Sequence, residues 1–354
     1  MKKRNQILSL LLIVQIAIVT VLSKFPDFVE KYYSNGIYPY ISSFLRTVFG
    51  WIPFSIGDVL LFIVLLWLIR SIWRFFKQKP KNYINMMFSI GAKLSVLYFC
   101  FNLFWGLNYH RDPLQKSMGM KMPTYNIDAL SILSEKLLIK TQEIHFKLTR
   151  NDTIPVKTIL SQQELLDRTV IGYNELSKIH PQFKYSQPKV KKSLFSLPMS
   201  FMGFGGYLNP LTGESQVNYN LLPFTMPSTA SHEVAHQIGY ANESEANFIG
   251  YLAAINNTDS LFQYSGYVMA LRYCLNEIYR SDKDLFHEIN NRLPIGVRKN
   301  IEANRTNWKK YDNPLEPYFK RIYDLFLKAN NQKHGIKSYG RMVSLLMAYE
   351  NAKE

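Results

Sequence analysis

The chain has 354 residues, of which 47% are hydrophobic, and its formal net charge is +16. This length allows one large domain or two ordinary ones with a sizeable core. The charge alone could indicate nucleic-acid binding. However, the lysines and arginines are scattered and form no basic stripe with interleaved aromatic residues, so we expect no nucleic-acid partner. The two cysteines, Cys100 and Cys274, lie in an apolar run and a predicted helix, so we expect no disulfide.

Three apolar segments predict membrane-spanning helices at about residues 7–23, 55–70 and 84–107, within a membrane region of residues 1–110. Each is close to the length that a helix needs to cross about 30 Å of hydrocarbon. The first segment could instead be a cleaved signal peptide, but the small-residue cleavage signal that such a peptide needs is missing after it. The sequence therefore predicts a multi-pass membrane protein whose first partner is the lipid bilayer.

The orientation of these segments follows from the basic residues beside them. One basic cluster precedes the first segment, and a second lies between the second and third segments. Positive clusters stay in the cytoplasm, so three spans would place everything after Tyr109 outside the cytoplasmic membrane. The clusters consist of Lys2, Lys3, Arg4 and of Arg70, Arg74, Lys77, Lys79, Lys81.

The sequence pattern of residues 111–354 predicts one α+β domain that is mostly helical with a small sheet. One helix should begin after Ser161, which forms a capping box with Glu164. Residues 189–220 are instead β-prone and interrupted by glycines, with a hairpin turn predicted at 209–213. This glycine-rich stretch could supply an edge strand that pairs with an extended peptide, or it could be an ordinary sheet strand.

The stretch HEVAH, residues 232–236, predicts a metal site. His232 and His236 are four residues apart, so on a helix both imidazoles project from one face and can bind one Zn²⁺. Glu233 follows the first histidine and can act as general base on a metal-bound water. Gly239 lies where this helix should end, and Asn242 is a suitable N-cap for the next one.

A third ligand is expected on the next helix, where two glutamates compete. Glu243, Ala246 and Asn247 share one helix face, while Glu245 points about 200° away from Glu243. On this face Glu243 could bind the metal and the Asn247 amide could orient a histidine. Glu245 lies where its simplest role is to cap the backbone of Asn242. We therefore favour Glu243, and the choice between it and Glu245 remains open.

These motifs resemble those of the gluzincin metallopeptidases, in which His-Glu-x-x-His is followed by a Glu-x-x-Ala-Asn/Asp helix. Over the whole chain, the sequence resembles the uncharacterised bacterial membrane family DUF3810. The likeness lies in the three predicted spans and in the stretches LFWGLNYHRDPL, GYLNPLTGES and HEVAHQIGYANESEANF. It implies a zincin-like fold, one zinc ion held by His232, His236 and Glu243, and Glu233 as the catalytic glutamate. Only six residues separate His236 from Glu243, fewer than in typical gluzincins, so the turn at Gly239 must be tight.

Many zincins also use a distant His or Tyr to stabilise an oxyanion. In this chain His334 and Tyr339 are candidates for that role. The other histidines outside the motif are expected to be surface or core residues.

Two functions remain open from the sequence. The first is a zinc-dependent endopeptidase in the bacterial cytoplasmic membrane, with its catalytic domain outside and a peptide or protein substrate at the cell envelope. The alternative is a zincin-fold membrane protein with a binding or scaffolding role, in which the metal is structural or absent. An intact Glu233 favours the enzyme, because a structural metal site has no use for a general base.

Overall fold

The structure is a computed structural model that describes residues 2–77, 83–185, 189–332 and 339–353. The chain is mostly helical with one small sheet, which confirms the predicted balance of elements. It divides into two compact units, Met1–Asp112 with Asn209–Glu214 (unit 1) and Pro113–Leu208 with Ser215–Glu354 (unit 2).

Unit 1 is helical. Its two long apolar helices α1 and α5 pack against each other. At Gly91 of α5 an added Cβ would overlap the hydroxyl of Ser9 in α1, so a glycine is required for this close approach. The elements are α1 (Lys2–Leu22), α2 (Pro26–Phe28), a π-helix (Val29–Ile37), α3 (Tyr38–Gly50), α4 (Ile56–Lys77), α5 (Tyr83–Phe104) and a 3₁₀-helix (Gly106–His110).

Two helices in the described residues are long and apolar enough to cross a membrane, Lys3–Leu22 and Tyr83–Phe104. The prediction of three such helices is therefore wrong by this measure. The predicted span at 55–70 is helical, as part of α4, but Asp58 and Arg70 bound its apolar run. The 11 residues between them rise only about 16 Å as a helix, about half of the hydrocarbon thickness.

Unit 2 is built around α10 and α11, which pack on each other and against α8 and α12. Most residues of α11 are buried, so this helix lies in the centre of the unit. Helix α7 packs along α12, and α16 packs on both α11 and α12. The helices are α6 (Leu114–Ser117), α7 (Ile127–Thr149), α8 (Gln162–Ile179), a 3₁₀-helix (Pro181–Phe183), α9 (Ser196–Met202), α10 (Met226–Gln237), α11 (Glu243–Asn256), α12 (Ser260–Ser281), α13 (Lys283–Asn291), α14 (Ile295–Lys309), α15 (Glu316–Ala329) and α16 (Tyr339–Asn351).

The sheet has three short strands, β1 (Val190–Lys192), β2 (Gly206–Asn209) and β3 (Glu214–Val217), in the order β1-β3-β2. β1 runs parallel to β3, and β2 lies at an edge. The predicted turn between β2 and β3 is confirmed, because Gly213 has a φ of 65° and its N–H donates to Asn209 O at 2.9 Å.

One part of the β-prone stretch was assigned wrongly, since Ser196–Met202 forms helix α9. Its buried residues Ser196, Met199 and Ser200 are spaced three and four apart, which is a helical face. The Ser200 hydroxyl donates to Ser196 O at 2.8 Å, a bond between successive helical turns. The phenylalanines and methionines of this stretch made it look β-prone, although the period of its buried positions is helical.

Candidate metal centre

Helix α10 carries the His-Glu-x-x-His motif and ends in the predicted tight turn. The helix stops at Gln237, and Gly239 adopts a φ of 94°, which favours glycine. The chain then folds back so that Tyr240 N–H donates to Ala235 O at 3.0 Å. The Ser215 hydroxyl also donates to Glu233 O at 2.7 Å, which anchors this part of α10 to strand β3.

Helix α11 begins at Glu243, six residues after the last residue of α10, and brings Glu243 to the motif. Asn242 is its N-cap, as predicted, and its side-chain oxygen accepts from the N–H groups of Ser244 and Glu245. The two helices cross in direct backbone contact, because a Cβ added at Gly250 would lie 2.8 Å from His232 N. The short connection and this close crossing together set Glu243 opposite the two histidines.

Three side chains converge between the helices. His232 Nε2 lies 3.4 Å from Glu243 Oε2, and His236 Nε2 lies 3.6 Å from Glu243 Oε1. Both distances exceed the range of about 2.7–3.2 Å for a good hydrogen bond. These two distances join each histidine to a different oxygen of Glu243. They are close to the spacing of roughly 3.3 Å that separates two ligand atoms of one tetrahedral ion with metal–ligand bonds of about 2.0–2.1 Å. His232, Glu233 and His236 also each offer one ligand atom within 4.8 Å of the others.

The ring of His236 is oriented by the backbone. Its Nδ1 lies 2.7 Å from Tyr240 O, and since a carbonyl can only accept, Nδ1 carries the proton. When the ring is neutral, its lone pair therefore lies on Nε2, the atom that faces Glu243. This arrangement is the usual second contact of a metal-ligating histidine.

The charges of the cluster favour a cation. Burial raises the pKa of Glu243, but His236 and His232 outweigh this effect and hold it well below its usual range. Burial lowers the pKa of His236, and the Glu243 carboxylate outweighs it and raises the pKa to about 9. A carboxylate that remains ionised between two imidazoles is a donor set of two nitrogens and one oxygen, which suits a divalent ion such as zinc.

Glu233 points into the same space but differs from Glu243 in its surroundings. Burial is the main cause that raises its pKa to about 7; Glu243 adds to this effect, while His232 and His236 oppose it. Its Oε2 is buried and has no hydrogen-bond partner among the described residues. Gly206 of strand β2 lies against it, since an added Cβ would come within 2.4 Å of Oε1. A buried carboxyl oxygen with no partner is where a reacting water would fit.

Two residues that contact the site were missed by the sequence analysis. The Tyr323 hydroxyl in α15 donates to Glu243 Oε1 at 2.7 Å. Gln332, just after α15, donates from Nε2 to Ala241 O at 2.9 Å and so holds the turn before α11. Neither residue belongs to a recognisable motif, and both are at least 80 positions from Glu243 along the chain. No sequence signal could have identified them.

The competing glutamate, Glu245, takes a different position. Its Oε1 accepts from Leu114 N at 3.0 Å and lies 3.5 Å from Arg341 Nη2. The prediction that it caps the backbone of Asn242 is wrong, because its carboxylate reaches across to α6 and α16. Of the two glutamates, the structure brings only Glu243 to the histidines.

Of the remaining predicted residues, only Asn247 has a side chain that the structure describes. Asn247 is partly exposed, and among the described residues it makes no hydrogen bond to a histidine. Tyr240 O, and not the Asn247 amide, orients the ring of His236. His334 and the side chain of Tyr339 lie outside the described residues.

Comparison with known proteins identifies a family. A family model described as "Protein of unknown function (DUF3810)" matches residues 33–347, which is most of the chain. No curated protein and no solved structure matches it.

Proposed function

The chain belongs to the DUF3810 family, whose function is unknown, and we propose that it is a membrane-anchored, zinc-dependent metallopeptidase. One observation carries the proposal: His232, His236 and Glu243 converge at distances suited to one tetrahedral ion. Three protein ligands leave a fourth position open, which is typical of catalytic rather than structural zinc sites.

The residues divide the chemistry between them. Zinc, when bound, supplies Lewis acidity and lowers the pKa of water. Glu233 adjoins the three ligands and has a buried Oε2 without a partner among the described residues, so it can accept the proton of that water. The same carboxyl can then pass the proton to the leaving amine of a cleaved peptide.

A peptide substrate is supported by the neighbouring sheet edge. Strand β2 lies at the edge of the sheet, and its first residue, Gly206, packs on Glu233. An extended peptide that paired with β2 would pass beside this carboxylate. The combination of a motif helix and a glutamate-bearing helix also supports the zincin-like fold that the family resemblance implies.

Membrane anchoring belongs to the proposal, with α1 and α5 as the candidate spans. Two crossings would return unit 2 to the side of the N-terminus. The basic clusters at 2–4 and 70–81 would then lie on opposite sides, against the positive-inside rule. Two crossings leave only one of these clusters in the cytoplasm. The proposal keeps the larger cluster, residues 70–81, on that side, so that the N-terminus and the active site both lie outside the cytoplasmic membrane, where peptides or proteins of the cell envelope would be the substrates.

The test is metal content and peptide hydrolysis by the purified full-length chain. We expect about one zinc per chain and cleavage of an unstructured protein substrate. The Glu233→Gln variant should keep zinc and lose cleavage by roughly 10²-fold or more, the usual contribution of a general base. Glu175→Gln is the matched control, because Glu175 is a surface glutamate of α8 that pairs with Lys178, away from the three ligands.

Two outcomes would contradict the proposal. Wild-type protein without zinc would remove its basis. Zinc binding without hydrolysis, unchanged in Glu233→Gln, would favour the binding or scaffolding role instead.

A further inference from the structure

Helix α15 has apolar residues on two opposite sides. On one side Leu327 is fully buried in unit 2. Tyr318, Ile322 and Leu325 lie on the other side, within about 60° of one another at 100° per residue. Their exposures of 67%, 64% and 59% are unusually high for large apolar side chains in a packed unit. Leu315, 57% exposed, extends the stripe at the start of the helix.

Helix α9 contacts α15 and exposes two further apolar side chains. Leu197 and Phe201, four residues apart, are 52% and 42% exposed. The two helices are joined where Asn313 Nδ2 donates to Phe201 O at 2.7 Å. We call these six exposed apolar residues the α9–α15 face: Leu197, Phe201, Leu315, Tyr318, Ile322 and Leu325.

Basic residues border the face. Arg321 and Lys328 lie beside the stripe, about 60° and 80° around the helix from Tyr318. Residues 309–328 contain five basic and three acidic side chains, a net charge of +2. Two of the acidic ones are paired within the helix, Glu316 with Lys320 at 2.5 Å and Asp324 with Lys328 at 2.6 Å. Helix α15 itself carries three basic and two acidic side chains, a net charge of +1.

We propose that the α9–α15 face docks unit 2 onto an anionic lipid surface. An exposed apolar stripe with a tyrosine and a basic border is the pattern of helices that lie in the plane of a membrane interface. The chain itself keeps such a surface near, because the candidate span that ends at Phe104 lies nine residues before Pro113, where unit 2 begins. A connection of this length reaches roughly 30 Å at most. The inference rests on the membrane anchoring in the proposed function and is independent of zinc and of hydrolysis.

The test uses the full-length chain in lipid nanodiscs of phosphatidylcholine and phosphatidylglycerol. Ile322→Cys, in a background in which Cys100 and Cys274 are replaced by alanine, carries an environment-sensitive fluorophore. Its quenching is measured with nitroxide-labelled lipids and with iodide in the aqueous phase. Ile132→Cys is the matched control, since Ile132 is an isoleucine of helix α7 in the same unit with a similar exposure of 60%.

We expect the probe at 322 to lose most of its fluorescence to nitroxide lipids and to be shielded from iodide, and the probe at 132 to show the reverse. Nanodiscs of phosphatidylcholine alone should weaken the lipid quenching at 322, as should Arg321→Glu combined with Lys328→Glu. Circular dichroism checks the folding of each variant, and Leu325→Cys serves as a second site if Ile322→Cys does not fold.

Several outcomes would overturn the proposal. Equal lipid quenching at 322 and 132 would show that the face is not selectively in contact with lipid. Shielding from iodide without lipid quenching would indicate a second copy of the chain or another protein as the occupant. Quenching at 322 that is independent of lipid charge would refute the anionic surface.

Discussion

The Tyr323 hydroxyl bonds to Glu243 Oε1, the oxygen that faces His236. This hydrogen bond fixes the carboxylate of a proposed ligand, and such outer contacts typically contribute 10–100-fold in metal affinity. We therefore expect Tyr323→Phe to weaken zinc binding by about that factor, measured by competition with a chromogenic chelator. The aromatic ring remains and can still pack against Phe204, whose ring centroid lies 5.2 Å from that of Tyr323, so the fold should be retained.

The control for this prediction is Tyr318→Phe, which removes a hydroxyl from the exposed side of the same helix. It should leave zinc affinity unchanged. Equal affinities of wild type and Tyr323→Phe would mean that the hydrogen bond does not position the ligand.

Glu243 and Glu245 should respond differently to truncation. Glu243→Ala removes the proposed ligand, so the protein should lose most of its zinc. Glu245→Ala should keep zinc but lower stability by about 2–3 kcal/mol, because it leaves Leu114 N–H and Arg341 without a charged partner. Zinc content and thermal unfolding of the two variants test this pair. If Glu245→Ala loses zinc and Glu243→Ala keeps it, the assignment is reversed.

Spacing within one helix was enough to predict the motif at the residue scale. His232 and His236 could be placed together because a helix repeats every 3.6 residues. The same rule separated Glu243 from Glu245, whose carboxylates point to different neighbours in the structure. Tyr323 could not be predicted, because its contact depends on how a distant helix packs.

At the scale of elements, the crossing of α10 and α11 depends on Gly250. A Cβ there would lie 2.8 Å from His232 N and 3.0 Å from its Cα, so the backbones would have to separate. Gly250→Ala should therefore cost about 1–3 kcal/mol of stability, as overpacking does. It should also weaken zinc binding, since the shift moves His232 relative to Glu243.

Gly340→Ala in α16 is the matched control, because the nearest atom to an added Cβ is Glu277 Oε2 at 4.0 Å. In that open helical position alanine should be neutral or stabilise by up to about 1 kcal/mol. Thermal unfolding and zinc competition measure both variants. If Gly250→Ala unfolds at the wild-type temperature and binds zinc with the wild-type affinity, the helices do not cross so closely.

The elements that could be predicted are those with local chemical signals. The capping box of Ser161 with Glu164, the N-cap at Asn242 and the turn at Gly239 are all present. Helix α9 was missed because its side chains are β-prone, whereas its buried face depends on tertiary packing. Local preference is weak evidence in such a short segment.

At the scale of the whole molecule, the side of the membrane that carries the site can be decided with reporters. A reporter active only outside the cytoplasm should be on when fused after residue 354 and off when fused near residue 79. The reason is that the basic residues of 70–81 resist transfer across the bilayer. The opposite result for the fusion after residue 354 would place the site in the cytoplasm and redirect the substrate search there.

The membrane region was the least predictable part of the fold. Hydropathy identified α1 and α5 as candidate spans, because both are long apolar helices. It could not decide α4, in which Asp58 and Arg70 leave only a short apolar run. In this helix Asp58 is buried, whereas the apolar side chains from Leu60 to Ile69 are exposed. A mean hydropathy over the helix does not show this difference.

The contact of Glu245 with Leu114 also bears on how the protein could be shortened for crystallisation. Leu114 is fully buried, and its N–H bonds to a carboxylate in the central helix α11. A soluble fragment that began after this residue would expose an apolar cleft and remove the backbone N–H that Glu245 accepts from. A fragment intended for biophysics should therefore begin upstream of Leu114.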